Sequence, residues 1–124
     1  MALYLLGATG SIGTQTLDVA EKLGLPVCAL AARRSVAPME AAARRFAPKL
    51  AVLYDEKAAA DLRVRLADTE TKVLSGMEGL LEAAALPEAD TVLAAMSGAV
   101  VLPRSLASTA ARLFFSRQVI SQFP

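Results

Sequence analysis

With 124 residues, 55% of them apolar, the chain is large enough for one compact domain, and no apolar run approaches the length of a membrane span. Its 13 basic and 12 acidic residues leave a net charge of +1, which gives no basis for bulk electrostatic binding to nucleic acid. Histidine is absent and cysteine occurs once, which excludes the commonest general base, the commonest zinc ligand and any internal disulfide.

The start, Met-Ala-Leu-Tyr, lacks the basic region and cleavage site of a secretory signal. A short apolar run from Ala2 to Leu6 reads as the first strand. Ser11 to Leu23 places Ile12, Leu17, Ala20 and Leu23 on one side, a helical face, and Gly24 and Pro26 stop it. Val27 to Ala31 reads as the second strand, with Cys28 as a buried thiol of a cytoplasmic protein. Val36 to Phe46 is an Ala-rich helix with Arg44 and Arg45 in its last turn, where cations suit the helix dipole. Leu50 to Tyr54 is a strand, and Asp55 caps a helix to about Ala67, in which Asp61, Arg63 and Arg65 form a charged face. Lys72 to Ser75 reads as a short strand, Glu78 to Ala85 as a short helix ended by Pro87, and Thr91 to Met96 as a last strand ended by Ser97 and Gly98. Strand and helix alternate throughout. The expected fold is therefore α/β: a Rossmann-like three-layer domain with a mainly parallel sheet and right-handed crossovers.

Gly7, Gly10 and Gly13 fall at the junction of the first strand and first helix. There a first glycine permits a tight turn, a second lets the backbone approach a ligand, and a third lets helix and strand pack closely. The free N–H groups and dipole of the helix start attract an anion, and Thr9 and Ser11 add hydroxyl donors. No carboxylate occurs before Asp18. The implied ligand is a dinucleotide pyrophosphate; the plainer alternative is a strand–turn–helix link with no ligand. The spacing Gly-x-x-Gly-x-x-Gly marks a variant dinucleotide fold and does not choose the chemistry.

In NAD-binding domains an acid at the end of the second strand holds the ribose hydroxyls. Here Ala32 is followed by Arg33, Arg34 and Ser35. Two guanidinium groups and a hydroxyl suit a 2′-phosphate, hence NADPH. The alternative is a pair of solvated arginines in a surface loop.

Several segments together resemble the 1-deoxy-D-xylulose 5-phosphate reductoisomerase family. They are Leu6-Gly-Ala-Thr-Gly-Ser-Ile-Gly13, Thr16-Leu-Asp-Val19, Val27-Cys-Ala-Leu-Ala-Ala32, Arg45-Phe-Ala-Pro-Lys49, Val73-Leu-Ser-Gly76, Glu78-Gly79 and Ala94-Ala-Met-Ser-Gly-Ala99. The resemblance covers roughly the first 100 residues. It implies that Thr9, Gly10, Ser11 and Ile12 hold the pyrophosphate and that Arg33, Arg34 and Ser35 hold the 2′-phosphate, although Arg33 stands where the family's loop usually begins with glycine. Ala94 to Gly98 resembles the loop beside the nicotinamide half. The family's reaction is the NADPH-dependent reduction of an aldehyde formed by metal-assisted rearrangement of 1-deoxyxylulose 5-phosphate, in non-mevalonate isoprenoid synthesis. Its divalent metal is magnesium or manganese.

Beyond Gly98 the likeness fails, and the family's metal-binding acids, substrate-phosphate residues and flap have no counterparts. The expectation is an NADP-binding domain at residues 1–99 and a divergent tail at 100–124, part of the same domain or an association segment. The chain is read as cut off before the catalytic parts: a truncated or frame-disrupted gene product, or a deliberate fragment. Taken alone it is expected to be inactive as a reductoisomerase, with no catalytic residue and no metal ligand. The alternative function is a catalytically inert NADP-binding sensor or partner module. A semialdehyde-dehydrogenase or short-chain reductase is disfavoured. Cys28 comes too early for the first, and neither Tyr4 nor Tyr54 is followed by lysine four residues on. Glu78, Glu82, Glu88 and Asp90 read as a solvated acidic face, and Met39 and Met77 as core filler. No carboxylate follows Asp90, while Val100, Val101, Leu102, Leu113, Phe114, Phe115, Val119 and Ile120 need burial. A helix near Pro103 to Arg112 is expected, then an extended segment that adds to the sheet edge or pairs with a second copy of the chain, the exposed apolar edge favouring a homodimer through the tail. No nucleic-acid or membrane partner is expected.

Overall fold

The computed structural model describes residues 2–87, 89, 91–95 and 99–103. In chain order the elements are β1 (Leu3–Leu6), α1 (Ser11–Leu23), β2 (Val27–Ala32), α2 (Val36–Phe46), β3 (Leu50–Leu53), α3 (Glu56–Arg65), β4 (Lys72–Ser75), α4 (Gly76–Ala84), β5 (Thr91–Ala95) and β6 (Ala99–Pro103). They build one sheet in the order β4-β3-β2-β1-β5-β6. All pairings are parallel except β5 with β6.

Handedness explains which helix lies on which face. The chain steps from β1 to β2 to β3 to β4 in one direction, so right-handed crossovers put α1, α2 and α3 on the same face. It then returns past β1 to β5, and the reversed step sends α4 to the opposite face. The two cores follow this division. One joins Leu17 and Ala20 of α1, Met39 of α2 and Leu62 of α3 to Leu5, Leu30 and Leu53 of the sheet. The other joins Leu80 and Ala83 of α4 to Tyr4, Leu6, Ala29, Val52 and Val92. With both faces covered, β1, β2 and β3 are buried along their whole length, which is why they read as unbroken apolar runs. Tyr4 carries its hydroxyl into the second core, where it donates to the Leu80 carbonyl at 2.9 Å. Burial pushes this phenol far above its ordinary pKa.

The helix boundaries fall within two residues of those expected, and Met39 and Cys28 are buried. Leu23 is different: it is 68% exposed. The buried stripe of α1 is centred on Gly13, Leu17 and Ala20. At about 100° per residue, Leu23 falls about 90° from the centre of that stripe. The other difference is β6. The last strand was expected to end at Ser97 and Gly98 with no strand directly after it, whereas Ala99–Pro103 runs back antiparallel along β5, pairing Ala99 with Ala95 and Pro103 with Thr91. The run Val100-Val101-Leu102 after a Ser-Gly pair is a hairpin signal, and proline is tolerated at the end of an edge strand. The expected tail helix from Pro103 to Arg112 and the segment beyond it lie outside the described residues, apart from Pro103 itself.

Candidate functional site

β1, β2 and β5 run parallel and in register, Leu6 lying beside Ala31 on one side and Ala94 on the other. Their carboxyl ends therefore share one edge of the sheet. The loop after β1 lies between the loops after β2 and β5, where strand order reverses. Such a switch point opens a crevice for ligands.

The glycines of the first loop stand in three different settings. Gly7 adopts φ 79°, a left-handed conformation that favours glycine. Its N–H and that of Ala8 both donate to the Ala31 carbonyl, at 2.8 and 3.0 Å, which pins the turn to β2. Gly13 is required by packing. A Cβ there would stand 2.2 Å from the Gly7 carbonyl oxygen and 2.9 Å from the Ala8 backbone, so α1 seats directly on the loop. Gly10 is the N-cap of α1 at φ −77° and ψ 173°, a conformation open to any residue. The backbone geometry at that position does not call for glycine.

No side chain caps α1, and its first turn contains no acid. Thr14 donates from both its N–H and its hydroxyl to the Gly10 carbonyl, each at 2.8 Å. Ser11 is exposed at the first helical position, while Ile12 is half-buried and packs on the core. The Thr9 hydroxyl oxygen is buried without a hydrogen-bond partner among the described residues. An orphaned donor at the mouth of a helix fits a site that takes an anionic oxygen.

Arg33, Arg34 and Ser35 connect β2 to α2 on the same edge. The Arg33 carbonyl accepts from Asp55 N–H at 2.9 Å, which ties this loop to the start of α3. Arg33 is half-buried, Arg34 is exposed, and Ser35 is the N-cap of α2 without a side-chain capping bond. Among the described residues neither Arg33 nor Arg34 forms an ion pair, unlike Arg44, Arg45 and Arg65. The sequence-derived candidates thus gather on one edge as two clusters, one per loop. Of Ala94 to Gly98, residues 96–98 lie outside the described residues.

In the sequence Arg45 stands as a dipole partner and as the first residue of the Arg45-Phe-Ala-Pro-Lys49 segment. It reaches from α2 to Asp18 of α1 at 2.9 Å and also pairs with Glu21. Nothing in the local sequence signals contacts 24 and 27 residues away. A cleft of about 220 Å³ lies between α1 and α2, lined by Ala8 and Thr9 of the loop, by Thr14 and Pro38, and by Arg45. Among the described residues no group of three or more Cys, Asp and Glu side chains is gathered to hold a metal ion. Glu78 and Glu82 are exposed, and Glu88 and Asp90 lie outside the described residues. No described helix is long and apolar enough to cross a membrane.

The family model of 1-deoxy-D-xylulose 5-phosphate reductoisomerase matches residues 3–113, so the resemblance runs on past Ala99 into the tail. The reductoisomerase of Halothermothrix orenii is 46% identical over 108 residues, which cover 86% of this chain and 28% of that protein. That of Desulfitobacterium hafniense is 48% identical over 102 residues, 81% of this chain and 27% of its own. Among solved structures, the Zymomonas mobilis reductoisomerase in complex with NADPH superposes with a TM-score of 0.68 at 39% identity, covering 73% of this chain and 24% of that one. A reductoisomerase in complex with NADPH, fosmidomycin and magnesium gives 0.73 at 33% identity over 90% of this chain and 27% of that one. The chain thus spans about a quarter of the length of the relatives it matches.

Proposed function

Because the chain belongs to the 1-deoxy-D-xylulose 5-phosphate reductoisomerase family, we propose that residues 1–99 are an NADPH-binding domain that serves the reductive step of such an enzyme. Gly10 carries the proposal. It is a glycine that the backbone conformation does not need, at the mouth of a helix whose first turn is free of acids. The absence of a side chain there is accounted for by close approach of a pyrophosphate.

In this reading the N–H groups of Ser11 and Ile12 and the hydroxyls of Thr9 and Ser11 hold the pyrophosphate against the side-chain-free Gly10, whose own N–H donates to the Gly7 carbonyl at 3.2 Å. Arg33, Arg34 and Ser35 hold the 2′-phosphate. Bound NADPH supplies a hydride. The chain's own part is to fix the two phosphate sites on one sheet edge, so that the rest of the cofactor lies across the β1/β5 switch point. No metal ligand is assigned to the described residues. A cytoplasmic location is part of the proposal, supported by a buried free thiol at Cys28. So is a homodimer through tail residues 100–124, supported by their apolar content and lack of carboxylates.

The test is an equilibrium titration of the chain with NADPH and with NADH. Tighter binding of NADPH is expected. Equal affinity for the two would remove the 2′-phosphate assignment, and binding of neither would remove the site.

A further inference from the structure

We propose that Arg45 raises the affinity of the glycine loop for its anionic ligand by offsetting part of the negative charge of Asp18 and Glu21, the only carboxylates of α1. The inference rests on the dinucleotide reading of that loop. A helix attracts an anion at its N-terminus through its dipole and free N–H groups. Carboxylates further along the same helix oppose that attraction. At 1.5 Å per residue, Asp18 stands about 10 Å along the axis from Ser11, close to the screening length at physiological salt. Two unpaired negative charges at that range would be felt by a dinucleotide, whose phosphates sum several charges.

The structure places a single guanidinium against both. Arg45 Nη2 donates to Asp18 Oδ1 at 2.9 Å and to Glu21 Oε2. The guanidinium also lies over the Phe46 ring, 5.1 Å from its centroid. It lines the same cleft as Ala8 and Thr9, so the compensating charge borders the ligand loop. Leu17 and Ala42 add apolar lining to the same cleft. The side chains remain about one-third to one-half exposed, and surface pairs of this kind contribute little to stability. Their consequence falls on ligand charge instead. It should be larger for NADPH than for NADH, because the 2′-phosphate adds up to two negative charges. Arg45 therefore acts through Asp18 and Glu21 and needs no contact with the cofactor.

The experiment titrates NADPH and NADH into the full chain at low and high salt, comparing the parent with Arg45→Gln, with Asp18→Asn/Glu21→Gln, and with all three changes together. Arg45→Gln should weaken NADPH binding about two- to five-fold at low salt, NADH less, and the loss should shrink at high salt. The carboxylate double variant should bind NADPH more tightly than the parent, and the triple variant at least as tightly as the parent. A loss in Arg45→Gln that persists in the triple variant or at high salt would overturn the inference, since a lost clamp or a direct contact behaves that way. Unchanged low-salt affinity in Arg45→Gln would overturn it too. If that variant fails to fold, the double variant decides, and unchanged affinity there is the contrary result. A parent that binds no NADPH overturns the dinucleotide reading and this inference with it, whereas a parent that binds while the variants are indifferent overturns this inference alone.

Discussion

Gly7, Gly10 and Gly13 lie three residues apart in different settings. Gly7 answers to backbone conformation, Gly13 to the approach of its own loop, and Gly10 has a φ and ψ open to any residue. Gly13→Ala drives a methyl group into backbone atoms that have no rotamer to yield, so it should destabilise the fold by roughly 1–3 kcal/mol. Chemical denaturation checks this, and an unchanged midpoint would show that α1 can lift off its loop at little cost. Arg34 is exposed and forms no ion pair among the described residues, so removing it should leave the fold intact. Arg34→Ala should cost about 1–3 kcal/mol in NADPH binding, the scale of a charge-assisted hydrogen bond, and almost nothing with NADH. Parallel titrations test this, and equal losses for both cofactors would contradict the assignment. These residues were legible because their chemistry is local: glycine spacing at a strand end, two arginines where an acid is usual. The Arg45 pair was not, because it depends on where α2 lies against α1, which no short window of sequence contains.

At the scale of elements, an ion network ties α2 to α3. Arg44 contacts Glu40 in its own helix at 3.2 Å and Asp68 beyond α3 at 3.0 Å. Arg65 contacts both Glu40 and Asp61 at 3.3 Å. Hydrogen bonding from Arg44 holds the Asp68 carboxyl below its ordinary pKa. A depressed carboxylate stabilises the fold above its unfolded-state pKa, and that contribution is lost as pH falls through the folded value. Asp68→Asn should therefore narrow the stability difference between neutral pH and a pH below the ordinary carboxylate range. Urea denaturation at both pH values measures it, and an undiminished difference would mean that Asp68 is not part of the acid response. The alternation of apolar runs and amphipathic helices made the parallel sheet readable, and the crossover rule fixed the helix faces. β6 escaped because Val100-Val101-Leu102 follows a strand after only a short gap, and a βαβ pattern expects a helix there. Leu23 misled because a terminal leucine can join a helical count and still face water.

At the scale of the molecule, one sheet carries both candidate loops on a single edge, and the loop after β1 borders the point where strand order reverses. The chain spans 28% of the Halothermothrix orenii relative, and the family match reaches residue 113. Light scattering addresses the proposed association through the tail: a dimer is expected, and a clean monomer with a protease-sensitive tail would contradict it. The measurement that bears most directly on the dinucleotide-binding claim is an NADPH titration of the parent and of Gly10→Val, with thermal unfolding of both. Gly10 sits at φ −77°, so valine needs no left-handed conformation and the variant should remain folded. The expected result is saturable NADPH binding by the parent and its loss in a folded Gly10→Val. A folded Gly10→Val that binds NADPH as well as the parent does would show that the loop is not where the cofactor's pyrophosphate lies.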